Sequence, residues 1–131
     1  MGAFDALNIA SSALGMHQTW LDALSYNIAN ANTVVSPDQD AFQAQMVIAE
    51  ARPGGDGVDV GGIAESDPEG ILRYDPDNPL ADEAGNVRAP AMDMSAQMTE
   101  LVMAQRGYQA SVQVTKYAQD SYNSALTIGA R

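Results

Sequence analysis

Cysteine is absent from this 131-residue chain, so no disulfide framework or thiolate metal site can form, and the redox compartment stays open. Cations are scarce as well: six Lys and Arg stand against seventeen carboxylates, a net charge of −11. That balance argues against nucleic acid, whose phosphates need Lys and Arg, and against adsorption to anionic membrane surfaces. Long apolar runs are missing, and no basic-then-apolar leader precedes a cleavage site. Met1-Gly2 invites myristoylation, but Ala6 stands where Ser or Thr is wanted. Histidine occurs once, at His17, with no Cys, nearby Asp or second His to complete a metal or nucleophile site. A structural or interface role is expected for it.

What acidity there is lies in the middle. Residues 1–35 carry only Asp5 and Asp22, with no Lys or Arg, whereas residues 36–93 carry thirteen carboxylates against Arg52, Arg73 and Arg88. Residues 94–131 carry Glu100 and Asp120 against Arg106, Lys116 and Arg131. Two nearly uncharged ends flanking an acidic middle point to buried helix faces at the ends and a solvated excursion between them.

The ends have helical spacing. Leu7, Leu14, Leu21 and Ile28 recur every seventh residue, with Ala10, Leu24 and Ala31 between them. This predicts one helix from Phe4 to about Ala31, about 40 Å long at 1.5 Å per residue. Met94, Met98, Leu101, Tyr108, Val112, Tyr122 and Leu126 form a second seam, interrupted by Gln105 and Gln119. Asp93 stands as its N-cap after Pro90, and Gly129 follows the last apolar residue. Gly107 costs about 1 kcal/mol against Ala in mid-helix. Close approach of a neighbouring backbone would offset that cost.

The middle reads differently. Phe42 to Ala49 fits a short strand or a helical turn, and Pro53-Gly54-Gly55-Asp56-Gly57 a turn or mobile loop before Val58, Val60 and Ile63. Ile71–Tyr74 and Asn86–Arg88 read as short strands around the turn Asp75-Pro76-Asp77-Asn78-Pro79. The predicted fold is mainly α. Long terminal helices pair as an antiparallel coiled-coil-like hairpin, with a small acidic irregular or β-hairpin excursion of very little core between them. The helical core domain is residues 1–35 and 92–131, and the excursion is residues 36–91. Such a pair is Ala-rich and marginal alone, so its neutral outer faces want helices from other chains.

Site chemistry finds little footing. Asp75-x-Asp77 begins like an EF-hand loop, but Leu80 replaces its Gly and Asn86 its Glu. Gly54-Gly55-Asp56-Gly57-Val58-Asp59 begins like a calcium-binding β-helix repeat but occurs once, with Gly61 in place of its large apolar residue. Glu65, Asp67, Glu69, Asp82 and Glu83 have no apolar pocket to raise a pKa. Neither catalysis, a metal nor a cofactor is expected.

Three motifs point to a family. Ser25-x-Asn27-Ile28-Ala29-Asn30-x-Asn32-Thr33 also reads as a polar-capped helix end, yet it resembles the N-terminal signature of bacterial flagellar rod and hook proteins. Met98–Gln109, with Glu100-Leu101 and Arg106-Gly107-Tyr108, resembles that family's C-terminal helix. Ile63-Ala64-Glu65-Ser66 and Tyr74–Gly85 resemble its short proximal-rod member, as does the length. One departure is Val34-Val35-Ser36-Pro37, where many relatives continue with Gly and an aromatic residue; Phe42 is the displaced candidate.

The resemblance implies a non-enzymatic subunit of the flagellar basal-body rod, exported without signal cleavage and assembled through its terminal helices. The implied partners are other copies of the chain, other rod proteins and the flagellar export apparatus, with no nucleic acid and no direct membrane insertion. Candidate subunit-interface residues are the large seam residues Leu7, Leu14, Leu21, Leu24, Ile28, Met94, Met98, Leu101, Tyr108, Val112, Tyr122 and Leu126. Asn27, Asn30, Asn32 and Arg106 join them from the motifs. The alternative is a soluble helical adaptor or flagellar export chaperone that binds partner helices.

Overall fold

The computed structural model describes residues 2–129, except the side chain of residue 3. Helix α1 (Ala3–Ala29) is followed by strands β1 (Gln45–Ala51), β2 (Val58–Glu65), β3 (Ile71–Tyr74) and β4 (Asn86–Ala89), then by helix α2 (Met94–Gly129). The helices span 27 and 36 residues, about half the chain. A mainly α fold was therefore too coarse an expectation: the turn-punctuated middle forms two separate two-stranded pairs, β1 with β2 and β3 with β4. Phe42–Ala49 resolves in favour of a strand, which starts at Gln45.

No proline interrupts α1, and its end is closed by its own asparagine. Asn30 Nδ2 donates to the Tyr26 carbonyl at 2.9 Å, and the Asn30 amide reaches the carbonyls of Tyr26 and Asn27. Thr33 N then donates to Asn30 O at 3.0 Å. Among the described residues only glycines have positive φ, so the stop is made with right-handed turns and no left-handed Asn. At the start of α2, Asp93 Oδ1 accepts the Ser95 amide at 2.9 Å, a side-chain cap on an otherwise orphaned donor.

The buried apolar residues are Ala10, Ala23, Leu24, Ala41, Ala44, Val87, Ala89 and Ala104. Half of them come from the middle segment, more than the sequence led us to expect. Most are alanine, so each contributes little apolar area.

Two compact units make up the chain: Met1–Leu21 with Val47–Gly62 and Val102–Arg131, and Asp22–Met46 with Ile63–Leu101. In the first, Ser12 fastens α1 to the start of β2. Its hydroxyl donates to the Ile9 carbonyl at 2.8 Å and accepts the Val58 amide at 3.0 Å. Gly57, at φ +119°, leads into that contact; a Cβ there would lie 2.2 Å from Ser12 Oγ. In the second unit β3 and β4 are antiparallel, with Ile71 opposite Ala89 and Tyr74 opposite Asn86. Val35 bridges to Arg88 on the other side of β4.

Candidate assembly surface and its anchors

Asn27 is the most enclosed polar side chain described, with no solvent exposure. Its Nδ2 donates to the Gln45 carbonyl at 2.8 Å and to Gln97 Oε1 at 2.9 Å, and its Oδ1 accepts the Gln45 amide at 2.8 Å. One side chain thus ties α1, β1 and α2 together and satisfies both of its donors. Beside it Leu24 is buried, and the rings of Tyr26 and Phe42 meet with centroids 5.2 Å apart. Phe42 therefore packs on the helix end that carries the Asn motif.

In the other unit the helices meet at small residues. The His17 ring lies against Gly107, where a Cβ would come within 2.2 Å of Nε2. His17 Nδ1 donates to the Ala13 carbonyl at 2.7 Å, and Ser111 Oγ to the Gly107 carbonyl at 2.9 Å. Gly107 thus admits an imidazole, not a backbone as anticipated, and His17 has the structural place expected for it. Farther along, Phe4 sits edge-on to Tyr122 with centroids 5.0 Å apart.

Charge chemistry is sparse. Arg52 donates to Asp59 through Nε at 2.9 Å and Nη2 at 2.6 Å. That hydrogen bond holds the Asp59 carboxyl below its ordinary range and raises the Arg52 guanidinium further. Both line an open polar groove with Asn8, Ser11 and Ser12, where the two charges are already spent on each other. Among the described residues no three His, Cys, Asp or Glu gather as metal ligands, and no helix is long and apolar enough to cross a membrane.

The sequence-derived interface residues fall into three groups. Leu24 and Asn27 are buried within the chain's own fold. Leu7, Leu14, Leu21, Ile28, Asn30, Met94, Leu101, Tyr108 and Tyr122 are half-buried. Asn32, Met98, Arg106, Val112 and Leu126 are exposed. Seam reasoning passed over other exposed apolar side chains, notably Val102, Met103, Val114, Tyr117 and Ile128 on α2 and Ile71, Leu72 and Tyr74 on β3. Their signal was available in the sequence: apolar residues standing off the seam, on faces with nothing of the same chain to cover them.

No protein-family model matches the chain. Individual proteins do. The flagellar basal-body rod protein FlgC of Salmonella typhimurium is 35% identical over 133 residues, covering 98% of this chain and 99% of that protein. FlgC of Bacillus subtilis is 30% identical over 149 residues, covering 98% and 99%. FlgC of Borreliella burgdorferi is 29% identical over 149 residues, covering 98% of each. The motifs at both helices and the end-to-end match agree, and the chain belongs to the FlgC family of flagellar basal-body rod proteins.

Proposed function

We propose that the chain is a non-enzymatic structural subunit of the flagellar basal-body rod, polymerising through its terminal helices into the shaft that links motor to hook. The observation that carries the reading is the near-complete match to FlgC proteins. The packing of α2 supports the mode of assembly: in 36 residues only Ala104 and Ser111 are buried. A helix of that length with an exposed apolar face becomes stable when neighbours cover it, each covered Å² contributing about 25 cal/mol.

The helical core is taken as residues 1–35 and 92–131, with α1 and α2 as an antiparallel hairpin, and residues 36–91 as the acidic excursion. Contacts of Phe4 with Tyr122 and His17 with Gly107, all within one compact unit, support that pairing, since the first partner advances as the second recedes. Leu24 and Asn27 hold the subunit together. The half-buried and exposed seam residues meet other copies and other rod proteins after passage through the export apparatus, in a periplasmic rod reached without a cleaved signal. The relatives quoted lend no support to the adaptor alternative.

Leu21→Asp and Leu101→Asp test the assembly mode. Each buries an unpaired carboxylate at a seam, at a cost on the order of several kcal/mol. A strain carrying either change as its only copy is expected to lack rods and not to swim. Normal swimming with either would overturn the two-seam model.

A further inference from the structure

Strand β3 is the outer member of its pair, and the register identifies which of its backbone groups are free. Arg88 exchanges two main-chain bonds with Val35, each 2.9 Å. The N–H and C=O of one antiparallel strand residue point to the same side, so those of Arg88 point away from β3. Leu72, opposite Arg88, is therefore in a non-hydrogen-bonded pair and turns its own N–H and C=O to the open edge. Tyr74, opposite Asn86, does the same, while Ile71 and Arg73 bond toward Ala89 and Val87. The Asp75 amide, donating to Gly85 O at 2.8 Å, keeps this alternation. Among the described residues no other strand lies along the open edge.

The same two residues present their side chains to solvent: Leu72 is 61% exposed and Tyr74 72%. Unpaired main-chain groups and an apolar surface at one edge are what strand addition requires. Charge selects the occupant. Asp67, Glu69, Asp75 and Asp77 flank the edge. Arg73 is drawn to Asp75 at 3.6 Å, and the Arg88 guanidinium is turned onto the carbonyls of Pro37 and Glu69. A second copy paired through both Leu72 and Tyr74 would set Arg73 opposite its own equivalent and bring the acidic flanks together. Like charges directly opposed destabilise a strand pair.

We propose that the open edge of β3 is a strand-addition site for an extended segment of a different protein, apolar opposite Leu72, Arg73 and Tyr74 and carrying Lys or Arg where it meets the acidic flanks. It rests on the rod reading only in expecting such a partner within the assembly.

The probe is a short capped peptide with a valine-rich centre and lysines towards both ends, added to the full-length, nitrogen-labelled chain. Amides of Leu72 and Tyr74 should exchange quickly alone and about tenfold more slowly with the peptide. Ile71 and Arg73, already in the ladder, should change little. The matching valine–glutamate peptide should leave all four unchanged. Leu72→Pro should abolish the response while leaving the β3–β4 ladder intact, because the N–H it removes points outward and Ile71 is already extended. Leu72→Thr, which keeps that N–H, should retain the response.

Equal responses to both peptides, no response to either, or concentration-dependent protection without peptide would overturn the proposal. The last result would assign the edge to a second copy. The wild-type exchange data decide the matter even if Leu72→Pro fails to fold. In cells, swimming with a properly folded Leu72→Pro chain counts against the edge, whereas swimming after deletion of the gene counts against the rod reading instead.

Discussion

The imidazole of His17 occupies the space that a side chain at position 107 would need. Its Nε2 stands 2.2 Å from where a Cβ of residue 107 would be, and its Nδ1 is anchored to the Ala13 carbonyl at 2.7 Å. The mid-helix glycine, which lowers helix propensity, is thereby explained by tertiary contact.

Gly107→Ala sets two effects against each other. Helix propensity gains about 1 kcal/mol, while overpacking against a tethered ring costs about 1–3 kcal/mol. The clash is with ring atoms that move only by giving up the Ala13 bond, so the loss should dominate. Rod yield and swimming should fall in Gly107→Ala and recover in His17→Ala/Gly107→Ala. Wild-type behaviour of the single variant would remove the steric account.

Asn27 makes a second prediction possible. Asn27→Ala leaves the Gln45 amide, the Gln45 carbonyl and the Gln97 side chain short of partners in an enclosed place. A buried polar group left unsatisfied costs about 1–3 kcal/mol. Asn27→Asp is expected to be no better, because a carboxylate cannot donate to the two oxygens that Nδ2 now serves. Asn32→Ala, at an exposed position, should stay within about 0.5 kcal/mol of wild type. Urea unfolding of the three variants compares them directly.

These two contacts also mark what a linear sequence discloses. The seven-residue spacing of Leu7, Leu14, Leu21 and Ile28 is local, and so is the Asp93 cap; both were legible and both are present. Ile71–Tyr74 and Asn86–Arg88 were legible because apolar residues stand between turn formers, and the second strand runs one residue further, to Ala89. The role of Asn27 was not. A capping Asn and a buried bridging Asn look alike until Gln45 and Gln97, 18 and 70 residues away in sequence, arrive beside it. The meeting of His17 with Gly107 likewise depends on how α1 and α2 register, which no local pattern specifies. The number of strands was hard to read for a different reason: Gln45–Ala51 combines residues suited to helix and strand, and its pairing with β2 decides.

The Arg52–Asp59 pair gives a pH signature without a stability claim. Hydrogen bonding to Arg52 lowers the Asp59 pKa below the 3.8 of a free side chain. For a depressed carboxyl, the favourable interaction is present above the unfolded value and disappears as pH falls through the folded one. Both groups are exposed, so little stability should follow. In a carbon-detected titration Asp59 should protonate below 3.8, and Arg52→Gln should bring it back up. A midpoint unmoved by Arg52→Gln would show that the pair does not persist in solution.

The distal arm of α2 carries the last prediction. Beyond Ser111 none of its described residues is buried, and Tyr117 and Ile128 are 68% and 78% exposed. Ordering each residue costs about 1–2 kcal/mol in backbone entropy, and single-chain contacts such as Tyr122 on Phe4 offset only part of that. Around Asn27 the balance differs, since Leu24 and a fully satisfied hydrogen-bond set are enclosed there. Amide exchange in the dilute subunit should therefore be graded, slowest near Leu24–Asn27 and fast from Val112 to Ile128. Neighbouring subunits that cover the arm should slow it in assembled rods, with ordering and binding occurring together. Uniformly slow exchange through Val112–Ile128 in dilute solution would mean that the arm is stable alone, and the argument that its exposed apolar face drives assembly would fall.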